Sequence, residues 1–204
     1  MSHTQQNKPV IALDSGKVLI DFDYAILINR LSELSGRLIE SGALSKMEEI
    51  NASMQRGELA WAQAIKILNR SLCISVSEKE WIDLYNGVLT HEIVRMREVL
   101  SDLKKTYRLV ALSNTDEIHW SYLLKTFPIY ALLDGWIVSH QEKVVKPGPA
   151  IYRIFMKRYC NNGFPAFFTD DMPENVEMAR KLGWRAEIFV DAEHFIQHIK
   201  SIHS

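Results

Sequence analysis

The chain has 204 residues, 47% hydrophobic and 24% charged. That is enough for one domain with a real core, or a core plus a small inserted module, and it excludes a disordered tail protein. Lys and Arg number 24 against 25 Asp and Glu, a formal charge of -1, so no basic field exists to hold a nucleic-acid backbone or an anionic membrane. No apolar stretch reaches the roughly 18 residues of a membrane-spanning helix, and the polar opening MSHTQQNKP lacks the apolar centre of a secretory signal. The expectation is a soluble, cytoplasmic protein with neither nucleic-acid nor membrane partners; its oligomeric state leaves no mark in the sequence. Cys73 and Cys160 lie far apart with no CxxC spacing and are read as buried reduced thiols, not as a disulfide or a zinc site.

In chain order, residues 1–8 read as an unstructured start. Val10-Ile11-Ala12-Leu13 is a continuous apolar run stopping at Asp14, the signature of a strand buried on both faces of a parallel sheet. A second short run, Val18-Leu19-Ile20, follows. From Tyr24 to about Leu89 apolar residues recur at helical spacing (Ile28, Leu31, Leu34, then Leu59, Ala62, Ile65, Leu68), and Ser77 with Glu80 reads as a capping box opening a further helix. Residues 24–90 are therefore expected to form a helical module, with Trp61 and Trp81 in its core and Arg56-Gly57-Glu58 as a turn between helices.

Beyond Ile93 helices and strands alternate. The expected strands are Leu109–Leu112, Trp136–Val138, Ala166–Phe168 and Ala186–Val190, with a helix from Glu174 to Leu182 stopped by Gly183. Such alternation predicts an α/β fold, a doubly wound, mainly parallel Rossmann-like sheet built from residues 9–23 and 91–204. Polar residues fall where strands end: Asp14, Ser113-Asn114-Thr115, and Thr169-Asp170-Asp171. In open α/β sheets ligands bind outside the carboxyl ends of the strands, so these clusters should converge in one crevice. Clustered carboxylates beside a hydroxyl-rich strand end suit a Mg²⁺ ion and a phosphate, and a carboxylate can itself attack phosphorus. The seven histidines show no HxH or HExxH spacing, so His91, His119 and His140 are read as surface or helix-end residues, not metal ligands.

The order of these clusters resembles the four motifs of the haloacid dehalogenase (HAD) superfamily. They are Leu13-Asp14-Ser15-Gly16-Lys17-Val18, Val110-Ala111-Leu112-Ser113-Asn114-Thr115, Lys146-Pro147-Gly148, and Phe167-Phe168-Thr169-Asp170-Asp171 with Asn175. More narrowly, Asp-x-Gly-x-Val, Arg56-Gly57-Glu58, Leu-Ser-Asn-Thr and Asp-Asp-x-x-x-Asn resemble the glucose-1-phosphate phosphatase-like branch, over about residues 10 to 200. The resemblance implies a HAD core covered by a small helical cap. It implies Asp14 as nucleophile, with Asp14, the Gly16 carbonyl and Asp171 as Mg²⁺ ligands and Asp170 metal-associated or behind them. Ser113 and Asn114 would donate to phosphoryl oxygens, Lys146 would neutralise charge between Asp14 and the phosphate, and Asn175 would orient Asp171 or Lys146. The substrate class implied is a small phosphorylated metabolite such as a hexose 1-phosphate.

One departure stands out. Many family phosphatases carry at the Gly16 position an Asp that protonates the leaving oxygen and then activates water, and glycine does neither. Asp21 and Asp23 are the nearby substitutes, though solvated carboxylates are the simpler reading, and Lys17 either greets the phosphate or is a solvated lysine. Two other readings stay open: a metal-independent 2-haloacid dehalogenase, and a catalytically weak binding or regulatory protein on the same fold.

Overall fold

The computed structural model describes residues 8–202. The expected unstructured start therefore lies outside the described residues except for Lys8, whose ammonium donates to the Lys104 carbonyl at 3.0 Å. Five strands form one parallel sheet: β1 (Val10–Leu13), β4 (Arg108–Ser113), β5 (Gly135–Val138), β6 (Phe167–Asp170) and β7 (Ala186–Ile188), in the order β5-β4-β1-β6-β7. β1 is central, paired in parallel with β4 and β6. Helices cover both faces, which is why VIAL is apolar at every position.

Alternate residues serve opposite faces. Ile11 and Leu13, with Leu109, Ala111 and Phe167, pack against α5 (Met96–Leu103), α6 (Glu117–Thr126) and α10 (Ala192–Lys200). Val10 and Ala12, with Val110, Leu112 and Phe168, pack against α8 (Pro149–Tyr159), which follows the short α7 (Ser139–Glu142), and against α9 (Pro173–Lys181). Because every strand runs the same way, Asp14, Ser113 and Asp170 come to one edge of the sheet.

The module consists of α1 (Tyr24–Ser35), α2 (Ser41–Gln55), α3 (Trp61–Leu72) and α4 (Glu78–Asn86). Its core holds Leu27, Leu31, Ile50, Leu68, Leu72 and Trp81. Ser77 and Glu80 make the expected capping box at α4. Gly183, in the left-handed region at φ 89°, follows α9. Trp61 lies at the module's edge, only partly buried.

Several expectations need correction. Val18 and Leu19 are buried but lie in a turn, both Leu19 and Ile20 amides returning to the Ser15 carbonyl; the strand β2 is Ile20–Phe22. The boundary expected after residue 90 falls inside β3 (Leu89–Glu92), which pairs antiparallel with β2. This ribbon is where the chain leaves the sheet and returns, and its polar sequence LTHE conceals it from apolar periodicity. β6 runs on through Thr169 and Asp170, and β7 stops at Ile188. Cys73 is exposed and Cys160 half-buried, because Cys73 ends α3 with φ 53°, one residue past the buried Leu72. Among the described residues no helix is long and apolar enough to cross a membrane.

Candidate active site

The floor of the site forms where β1, β4 and β6 end. Asp14 follows β1, its amide held by the Thr169 carbonyl at 3.0 Å. The Lys146 ammonium reaches Asp14 Oδ1 at 2.8 Å and Asp170 Oδ2 at 2.5 Å, with only 1% of its side chain exposed. Asp170 is fully buried, and its Oδ1 accepts from Asn175 Nδ2 (2.8 Å) and the Met172 amide (2.9 Å). Lys146 is held through its backbone as well: Asn114 Nδ2 donates to the Lys146 carbonyl (2.9 Å), and the Lys146 amide donates to Asn114 Oδ1 (2.8 Å). The Thr115 amide in turn donates to Ser139 Oγ at 2.9 Å.

Carboxylate oxygens of Asp14, Asp170 and Asp171 lie within 4.8 Å of one another, facing one ammonium. Burial, then the Asp170 charge, pushes the Asp14 carboxyl up to about 7 even with Lys146 beside it. Asp171 is raised for the same two reasons. Burial alone would lower Lys146, but the carboxylates more than offset it and hold the ammonium above its ordinary value. The floor thus carries more negative charge than its own cation neutralises, and its donors are all oxygen, the kind a hard divalent cation takes.

Above this floor lies a cavity of about 210 Å³. Asp14, Gly16, Ser113, Asn114, Lys146 and Asp171 line it below, and Phe22, Tyr24, Gln55, Leu89 and His119 line its upper wall. Gly16 sits against the ribbon, where a Cβ would meet Phe22 Cε1 at 2.9 Å. The ring of Phe22 therefore fills the space into which a longer side chain at Gly16 would grow.

The fold that carries these residues recurs in known structures. A HAD family enzyme from Bacteroides thetaiotaomicron, in its wild-type complex with magnesium and inorganic phosphate, superposes with a TM-score of 0.78 at 21% identity, over 91% of this chain and 96% of that one. A HAD-like family hydrolase from Porphyromonas gingivalis gives 0.77 at 21% identity, over 96% and 98%. A dehalogenase is more distant, at 0.61 and 18% identity over 88% and 84%. The chain has the haloacid dehalogenase fold. No family model and no curated protein sequence matches it.

On this HAD fold the expected site residues Asp14, Gly16, Ser113, Asn114, Lys146, Asp170 and Asp171 gather around one cavity, with Asp170 beneath its surface and Asp171 on it. Asn114 holds the Lys146 backbone through Oδ1 and one Nδ2–H, a positioning role that leaves its second Nδ2–H for the expected donation. Asn175 binds Asp170, where Asp171 or Lys146 was expected. Asp21 pairs with the Lys17 ammonium, and Asp23 caps α1 through the Ala25 amide at 2.8 Å. Neither borders the cavity.

His119 lies at a helix end as expected, in the first turn of α6, but it is buried and not at the surface. Its ring stacks on Tyr85 of α4 (3.8 Å between centroids, 3° between planes), its Nε2 contacts the Tyr85 carbonyl at 3.0 Å, and its Nδ1 lies 3.5 Å from Asp116 Oδ2. The Tyr85 hydroxyl donates to Asp116 Oδ2 at 2.8 Å, while Asp116 Oδ1 caps α6 through the Ile118 and His119 amides. These groups join the module to the sheet beside the cavity. The local signal that could have found them is Asp116 itself, a residue type that caps helices, directly ahead of α6. Tyr85→Phe strips a hydroxyl from a buried carboxylate and should cost about 1–3 kcal/mol, read by chemical denaturation; a loss within error would show that the α6 amides alone satisfy Asp116.

Proposed function

We propose that this chain is a Mg²⁺-dependent phosphatase that hydrolyses a small phosphomonoester, a sugar phosphate foremost, through an aspartyl-phosphate on Asp14. The observation that carries this reading is the Asp14–Lys146–Asp170 cluster with Asp171 open to the same cavity. The donor set fits the ion: three carboxylates whose oxygens lie within 4.8 Å exceed the charge of one ammonium, and a hard cation is the partner that restores balance. The similar Bacteroides enzyme holds magnesium and inorganic phosphate together. In this chain Asp14, the Gly16 carbonyl and Asp171 would hold the ion, with Asp170 fixing Lys146 from below. When bound, Mg²⁺ supplies positive charge to the phosphoryl oxygens and to the carboxylates.

The remaining work falls to the chain itself. Asp14 forms a bond to phosphorus as the ester P–O bond breaks and the leaving oxygen takes the bonding pair; water then attacks the same phosphorus, releasing phosphate and restoring the carboxylate. Lys146 holds Asp14 in place and offsets charge on the transferring group, and Ser113 donates to its oxygens. Phe22, Tyr24 and Leu89 give the organic part an apolar wall, with Gln55 as a polar contact, which suits one face of a sugar ring. A metal-free dehalogenase would gain nothing from a third carboxylate in a cluster already too negative.

The direct test is turnover of an aryl phosphate with and without Mg²⁺. Turnover should require the ion and vanish in Asp14→Asn; more than a few per cent residual rate would remove Asp14 as nucleophile. Absence of turnover under all conditions would favour the non-catalytic reading.

Proton competition gives a second test. The folded, metal-free Asp14 keeps its proton up to about pH 7, whereas the unfolded chain releases it near its ordinary value of 3.8. Stability owed to this carboxyl is therefore complete at low pH and lost as pH rises through 7. Mg²⁺ must displace that proton, so the rise in Tm on adding Mg²⁺ should be small at about pH 5.5 and larger at about pH 8. A shift independent of pH would count against Asp14 as a ligand.

The third test concerns the leaving group. With glycine at position 16 and Phe22 occupying the adjacent space, no side chain there protonates the departing oxygen. General acid help is worth roughly 10²- to 10⁴-fold, so substrates whose leaving oxygen is a weak base should lead. Hexose 1-phosphate should turn over faster than the same hexose 6-phosphate at saturating Mg²⁺; a faster 6-phosphate would require an acid from elsewhere in the pocket.

A further inference from the structure

The helix α10, remote from the catalytic floor, carries a pair of donors that the phosphatase reading does not use. His194 and His198 are four residues apart and so share one helix face. Their Nε2 atoms meet at 3.2 Å, with ring centroids 4.4 Å apart. Both side chains are half-buried. The His198 ring also stacks on Phe167, at 6.2 Å and 25°, which restrains one member of the pair.

The distance has a chemical meaning. Imidazole nitrogens bind Zn²⁺ at about 2.0–2.1 Å. Two such bonds, opened between a right angle and a tetrahedral angle, place their nitrogens about 2.9–3.4 Å apart. The observed 3.2 Å lies inside that window; with centroids 4.4 Å apart, against about 5 Å for two aligned Zn–N bonds, a small rotation of the rings aims both lone pairs at one ion. The contact is a hydrogen bond when one Nε2 carries a proton and the other a lone pair; a metal ion in place of that proton would accept both lone pairs. We propose that His194 and His198 form a chelating site for a borderline divalent transition-metal ion such as Zn²⁺, its other positions filled by water on the open side of the helix.

Nitrogen donors place this site in a different class from the floor of the cavity. Imidazole favours zinc and its neighbours in the transition series, whereas a cluster of carboxylates favours Mg²⁺. The two are also spatially separate. His198 lies over Phe167 at the start of β6 and Asp170 is at its end, three residues or about 10 Å along the strand, so no single ion reaches both. An ion held across one turn would restrain α10, the last helix described, and stabilise the folded chain by mass action.

The test is a calorimetric titration of the full chain with Zn²⁺ under saturating Mg²⁺, with Tm read in parallel. Wild type should take up Zn²⁺ and gain in Tm, and His194→Gln and His198→Gln should each weaken that uptake at least tenfold and lose the gain. Asp171→Asn should retain both. Equal uptake by wild type and the two histidine variants, or no uptake by wild type, overturns the proposal. Neither result bears on turnover, so the site and the phosphatase reading stand or fall separately.

Discussion

The Lys146 ammonium, buried at the end of a parallel sheet, sets the terms for everything around it. A charge with 1% of its side chain exposed survives only if paired and hydrogen-bonded. The partners come from separate strands: Asp14 after β1, Asp170 in β6, and Asn114 after β4, which clamps the lysine backbone. One cation thereby ties three strand ends together, and the geometry of each carboxylate follows from the position of the lysine. The same cluster is overfilled with negative charge, and burial together with that charge raises Asp14 and Asp171. Structural pairing and an unfilled demand for positive charge are thus two aspects of one arrangement.

The ribbon made by β2 and β3 settles what the site lacks. By placing Phe22 against Gly16 it leaves that position without a proton donor and gives the cavity an aromatic wall. The nearby acids are committed elsewhere, Asp21 to Lys17 and Asp23 to the first turn of α1. On the phosphatase reading, the chemistry therefore rests on positioning and charge, with the leaving oxygen departing largely unaided.

How much could be read in advance depended on the range of each interaction. The four apolar residues of β1, the Ser77–Glu80 cap and the polar strand ends are local patterns, and the sheet and the gathering of Asp14, Ser113 and Asp170 follow from them; Lys146, in a loop, was legible only through the order of the motifs. The stack of Tyr85 on His119 joins residues 34 positions apart and leaves no periodic trace, so the burial of this histidine was not legible. β3 was hidden because a half-exposed ribbon needs no apolar run. Asn175 illustrates a finer limit: motif order brought it to the right neighbourhood, but only side-chain geometry shows that its amide goes to Asp170.

The join between module and sheet differs in kind from either interior. The module has its own apolar core around Leu31, Leu68 and Trp81, distinct from the two clusters that cover the sheet, and Leu89 of the ribbon packs against both sides. Across the rest of the join polar contacts predominate, Tyr85 with Asp116, His119 with the Tyr85 carbonyl, and Lys143 Nζ with the Gly57 carbonyl at 2.6 Å, beside the stacked rings of Tyr85 and His119 and the side chain of Ile118 on the module core. Polar contacts exchange for water at a far smaller net cost than buried apolar surface exposes. Separation of the two bodies would therefore break at this join before either core opened, with the ribbon as the covalent tether. Tyr24 and Gln55 would move away from the floor of the cavity, while Phe22 on the ribbon and Lys146 with its carboxylates at the strand ends would stay in register.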